Sequence, residues 1–157
     1  MYALIADVGN LYRNVKSKYN ATLNYSLYVQ TIENRLGYQL HSKIAYGEQA
    51  PALVKRFILM LKNMGFITNF AANKTWDVSA TITAINMSPS LTGLILGSNK
   101  KEFLPLVEYL KSRGIRVLVC ASNIPKSLKD ATEFIEIDES MLAQPQQVND
   151  VTDTPTE

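Results

Sequence analysis

The sequence predicts an α/β fold of three layers, α/β/α, with helices on both faces of a central, mostly parallel sheet of five to six strands. Short apolar runs alternate with helix-period segments almost throughout, the signature of a parallel sheet covered on both sides. Polar residues gather just past the ends of those runs, where parallel strands bring distant segments to one crevice. A chain of 157 residues suffices for one domain with a real core.

Tyr2–Ala6 is the first strand, followed by a short helix over Asn10–Lys18. A second helix spans Tyr25–Leu36, with Leu27, Ile32 and Leu36 on its apolar side, and Gly37 ends it because a glycine carries no Cβ penalty there. Gln39–Tyr46 reads as the next strand. Pro51 suits the first position of the helix that follows, because it has no amide hydrogen to leave unpaired, and Phe57, Leu61 and Met64 face the sheet.

Gly65–Phe70 is the third strand, after which Thr75 or Asp77 caps a helix running to about Met87. Leu94–Gly97 is a strand, and the helix after it reaches Arg113; Pro105 fits only in its first turn, so regular helix starts near Phe103 or Leu104. Gly114 closes that helix. Ile115–Cys120 is a buried strand, Pro125–Thr132 a short helix and Phe134–Ile137 the last strand. The domain is expected to occupy residues 1–142, with 143–157 a polar, Pro-containing, disordered tail.

The formal charge of +2 hides an asymmetry. Through Lys129 there are 16 basic residues against 6 acidic ones, whereas Asp130 onward carries 8 acidic residues and no basic one. A basic body attracts polyanions by counterion release, and an acidic tail competes for the same surface. No apolar run approaches the roughly 20 residues of a membrane span, so no membrane partner is expected. MYALIADV lacks the basic start of a signal peptide and reads as a buried strand, which implies a cytoplasmic protein. Cys120 lies in an apolar run and reads as a core residue. There is no glycine-rich dinucleotide or P-loop motif, and one histidine, His41, cannot make a histidine metal cluster. Metal chemistry would need oxygen ligands, which suit magnesium or manganese.

The segments at the strand ends carry the candidate chemistry: ALIADVGN with Asp7 and Asn10, KTWDVSATIT with Asp77, and LILGSNKKEFLPLV with Lys100, Glu102 and Phe103. Their order, together with HSKIAYGEQAP, LVKRFILMLKNMGF and LKDATEFIEID, resembles the NYN domain, a branch of the PIN-like nuclease superfamily with a Rossmann-like sheet that includes LabA-type bacterial proteins. The resemblance spans about residues 2 to 140.

Family members show Ile-Asp-Gly-x-Asn at the first strand, Val-Asp-Val with a second acid further along that helix, and Ser-Gly-Asp-x-Asp-Phe after the fourth strand. Asp7 and Asn10 match the first motif and Asp77 the helix acid. The second helix acid falls on Thr83, and the last motif falls on Ser98, Asn99, Lys100, Lys101, Glu102 and Phe103. Expected carboxylates are therefore missing, and one is replaced by the opposite charge.

The resemblance implies a metal-dependent hydrolase acting on RNA, with Asp7, Asp77 and Glu102 as the catalytic and metal-holding acids. Asn10, Arg13, Lys74, Ser98, Asn99, Lys100 and Lys101 are the candidate substrate contacts. An ammonium among the acids competes with a divalent cation for the same oxygens, so magnesium or manganese is expected to bind weakly or not at all, with Lys100 paired to Asp7, Asp77 or Glu102. Ordinary structural roles also suit these acids: Asp7 and Asn10 at a strand-end turn, Asp77 as a cap, Glu102 as a first-turn acid. Three functions follow: an RNA-binding or regulatory module with a degraded site, an active ribonuclease using Asp7, Asp77 and Glu102, or a homo-oligomeric scaffold. Tyr12, Tyr46 and Trp76 lie beside the motifs, as stacking platforms or as packing.

Overall fold

The computed structural model describes residues 1–48, 53–71 and 76–144. Six strands form one sheet in the order β3-β2-β1-β4-β5-β6, and every neighbouring pair is parallel. They are β1 Tyr2–Asp7, β2 Ser42–Glu48, β3 Phe66–Ala71, β4 Gly93–Gly97, β5 Arg116–Ala121 and β6 Glu133–Glu136. The helices are α1 Val8–Tyr19, α2 Tyr25–Leu36, α3 Leu53–Asn63, α4 Trp76–Met87, α5 Leu104–Ser112 and α6 Lys126–Ala131.

For this strand order the right-handed rule for parallel crossovers assigns α1 to α3 to one face of the sheet and α4 to α6 to the other. Side-chain packing agrees: Ile5, Tyr46 and Leu96 meet Ala80 of α4, whereas Gly97, pointing the other way, receives Tyr28 of α2. The chain order reverses its lateral direction between β1 and β4, so the gap beyond the ends of these strands is the natural place for a site.

The central strands β1 and β4 are buried throughout. Tyr28 is fully buried, and its hydroxyl donates to the Cys120 carbonyl at 2.7 Å, a bond that crosses β4. A Cβ on Gly97 would stand 2.7 Å from that hydroxyl and 3.1 Å from the Ala6 Cα, so only glycine leaves the path open. Burial raises the Tyr28 phenol well above its usual pKa and pushes the Cys120 thiol up to about 12, which leaves both neutral core groups. Tyr25 extends this packing edge-on to Tyr28, Phe57 and Phe66.

Several expectations shift in position. β2 begins at Ser42 and not at Gln39, because the Leu40 amide is taken by the Glu33 carboxylate of α2 at 2.9 Å. Asp77 lies inside the first turn of α4 and is not the residue before it. A 3-10 turn, Lys101–Phe103, precedes α5, so regular helix starts at Leu104 with Pro105 in its first turn. Part of the acidic C-terminal charge is built into the fold: Glu133 takes two hydrogen bonds from Arg116, at 2.6 and 2.8 Å, and Glu136 pairs with Lys18 at 3.6 Å. Pro51, Lys74, Thr75 and the tail from residue 145 onward lie outside the described residues. Among the described residues no helix is long and apolar enough to cross a membrane.

Candidate functional site: a lysine across two aspartates

Asp7 ends β1 and caps α1, where its Oδ1 accepts the Asn10 amide at 3.1 Å. The helix N-terminus favours the negative charge there. Its Oδ2 is buried without a hydrogen bond, and the Lys100 ammonium lies 3.2 Å away. The same ammonium donates to Asp77 Oδ1 at 2.9 Å. Lys100 thus bridges an acid from the end of β1 and an acid from the first turn of α4, reaching them from the loop after β4.

The lysine side chain is 26% exposed, against 9% for Asp7 and 39% for Asp77. Burial pulls the Lys100 amine down, but the Asp77 hydrogen bond and the Asp7 charge outweigh it, and the net shift is upward from the ordinary lysine value. The ammonium therefore stays charged throughout the neutral range.

Asparagines hold the lysine loop. Asn10 donates to Asn99 Oδ1 at 2.8 Å, and its own Oδ1 accepts the Asn99 amide at 3.0 Å, so the two residues pair reciprocally. Asn99 Nδ2 donates to Asn14 Oδ1 at 3.1 Å and to the Asn123 carbonyl at 3.2 Å. Asn14 in turn donates to the Asn10 carbonyl at 2.9 Å. The Lys100 amide donates to the buried Ser98 hydroxyl at 3.2 Å. Both backbone and side chain of Asn99 are committed, and this fixes the point from which Lys100 extends.

Asp7, Lys100 and Trp76 border a crevice of about 190 Å³, with Gly9, Arg13 and Glu48 at its wall. A Cβ on Gly9 would stand 3.0 Å from Arg13 Nη1, so the glycine gives the guanidinium room to fold toward the start of α1. Tyr46, whose ring lies 6.1 Å from that of Trp76, shares a 2.6 Å hydrogen bond with Thr83 between their hydroxyls, so the second acidic position of α4 carries a neutral pair instead.

The structure thus brings together Asp7, Asn10, Asp77, Ser98, Asn99 and Lys100, with Arg13 at the edge. Glu102 and Lys101 are exposed on the 3-10 turn, and among the described residues no third acidic, histidine or cysteine side chain joins Asp7 and Asp77 as a potential metal group. Glu102 does not complete the expected acidic trio, because the turn that begins at Lys101 presents it to solvent. A divalent cation does not fit this donor set: one Asp7 oxygen is spent on the α1 cap, and an ammonium occupies the space between the remaining carboxylate oxygens. Asn14 and Asn123 escaped the sequence reading. Asn14 stands one turn after Asn10 on the same helix, a spacing that places both on one side.

A sequence profile of the NYN domain matches residues 2–138. The structure is similar to that of a Vibrio parahaemolyticus protein of unknown function, with a TM-score of 0.83 and 24% identity, over 90% of this chain and 95% of that one; this likeness concerns the fold. No curated protein is detectably similar to the chain. With a domain match that takes in all six strands and the lysine-bridged aspartates, the chain belongs to the NYN domain family.

Proposed function

We propose that this chain is a NYN-domain module of the LabA-like branch that binds RNA without cleaving it efficiently, its acidic crevice neutralised by a lysine in place of a metal ion. The observation that carries the reading is the position of the Lys100 ammonium, 3.2 Å from Asp7 and 2.9 Å from Asp77. Phosphodiester hydrolysis at such a site needs a group that activates water and withdraws charge from the phosphate. Asp7 and Asp77 are held by Lys100, and Glu102 stands apart on the surface. The basic excess through Lys129 supplies the attraction for a polyanion.

Incubating the purified protein with labelled single-stranded RNA, with manganese or with chelator, tests the reading. Retention of intact RNA under both conditions is the expected result. Manganese-stimulated cleavage that disappears in Asp7→Asn would establish an active ribonuclease instead.

A further inference from the structure

We infer that the solvent side of α1 holds single-stranded RNA, with Tyr12 stacking on a base and Arg13 and Lys16 contacting the neighbouring phosphates; this rests on the RNA-binding reading above. α1 contains no acidic residue. Its buried side is Asn10, Leu11 and Val15, so its other side is free to carry Tyr12, Arg13 and Lys16. Tyr12 and Lys16 stand one turn apart, about 6 Å along the axis, with Arg13 beside them.

Each of the three groups is available. The Tyr12 side chain leaves the residue 53% exposed, and among the described residues its ring meets no other aromatic ring, unlike Tyr2, Tyr25 and Tyr46. Lys18, further along the helix, is engaged by Glu136 and lies over the Tyr19 ring. Arg13 and Lys16 are exposed, and neither makes an ion pair among the described residues. Arg13 also turns toward the crevice across Gly9, so the strip begins at the crevice mouth and runs down the helix.

An exposed aromatic ring flanked by unpaired cations is the arrangement that holds an unpaired strand, since every base offers a face for stacking and the cations track the backbone. In a duplex the base faces are already stacked on one another, so Tyr12 has nothing to engage there. The crevice is a poorer seat for phosphate, because its Lys100 ammonium is already engaged by Asp7 and Asp77, and Glu48 stands at its wall.

Fluorescence anisotropy with a labelled single-stranded RNA oligomer and with an RNA duplex tests the strip. Tyr12→Ala should weaken single-strand binding about tenfold and leave duplex binding within about twofold, while Tyr12→Trp retains single-strand affinity. Arg13→Ala and Lys16→Ala should each lower the slope of log affinity against log salt by roughly 0.7. Equal losses for both RNAs in Tyr12→Ala, or no loss for either, would overturn the strip while leaving RNA binding intact. Absence of any RNA binding by the wild type at low salt would overturn the strip and the broader reading together. Circular dichroism of Tyr12→Ala, a change at an exposed position, should match the wild type.

Discussion

Lys100→Ala is expected to destabilise the protein by about 2–3 kcal/mol at neutral pH, and to make the stability that remains respond to manganese. Removing one member of a buried ion pair typically costs about 3–5 kcal/mol, because the other charge is left unpaired in a poor solvent. The value here falls at or just below the lower end of that range, since Lys100 and Asp77 retain partial contact with water. Asp7 carries most of the loss. Its Oδ2 is buried, makes no hydrogen bond, and would lose its neighbouring ammonium.

A divalent cation would then find two carboxylates facing each other across the space the ammonium left. Binding only to the folded state, it stabilises by about 2.7 kcal/mol at one hundred times its dissociation constant. Thermal unfolding of wild type and variant, each with manganese and with chelator, checks this: a rise in Tm with manganese is expected for Lys100→Ala and not for the wild type. The pH dependence has a definite sign. The folded-state pKa of Lys100 is raised, so its stabilisation is fully present below the ordinary value of 10.5 and is lost as pH rises through the folded-state value. On the alkaline side the stability gap between wild type and variant should therefore persist above neutral pH and close as the Lys100 amine loses its proton.

Asn10→Ala is expected to cost about 2–4 kcal/mol. Asn10 is 5% exposed, and its amide group both donates to and accepts from Asn99. Truncation leaves the half-buried Asn99 amide hydrogen and Oδ1 without these partners; an unsatisfied buried group costs about 1–3 kcal/mol, and partial access to water places each of these two in the lower part of that range. Asn10→Asp should fall between wild type and alanine. A carboxylate still accepts the Asn99 amide but cannot donate to Oδ1, and it adds a negative charge near Asp7. Urea unfolding gives the ranking. The amide resonance of Lys100 reports whether the loop has moved, because its hydrogen bond to Ser98 is set by the neighbouring Asn99.

The fold was legible in the sequence because the apolar runs of β1, β4 and β5 are short, punctuated and separated by helix-period segments. Gly37 and Gly114 marked helix ends correctly, and both have the positive φ that favours glycine, 73° and 74°. What local pattern does not encode is competition from elsewhere in the chain. The β2 start moved because Glu33, a residue of α2, claims the Leu40 amide.

The site was legible as a place. The rule that parallel strands converge at their carboxyl ends pointed to Asp7, Asn10, Asp77 and Lys100, and similarity to the family added Ser98 and Asn99. Its internal wiring was not legible, because a lysine beside acids in sequence does not say which oxygens its flexible stem reaches. Nor does the sequence show that Asn99, at a position the family gives to glycine, ties α1 to the loop after β5 through Asn14 and Asn123.

Manganese titration followed by electron paramagnetic resonance, in parallel on wild type and Lys100→Ala, bears most directly on the lysine standing in for a cation. The wild type should leave the free-ion signal undiminished, while the variant depletes it with about one ion per chain, the number that a single carboxylate pair can hold. Stoichiometric uptake by the wild type, abolished by Asp7→Asn, would contradict the assignment.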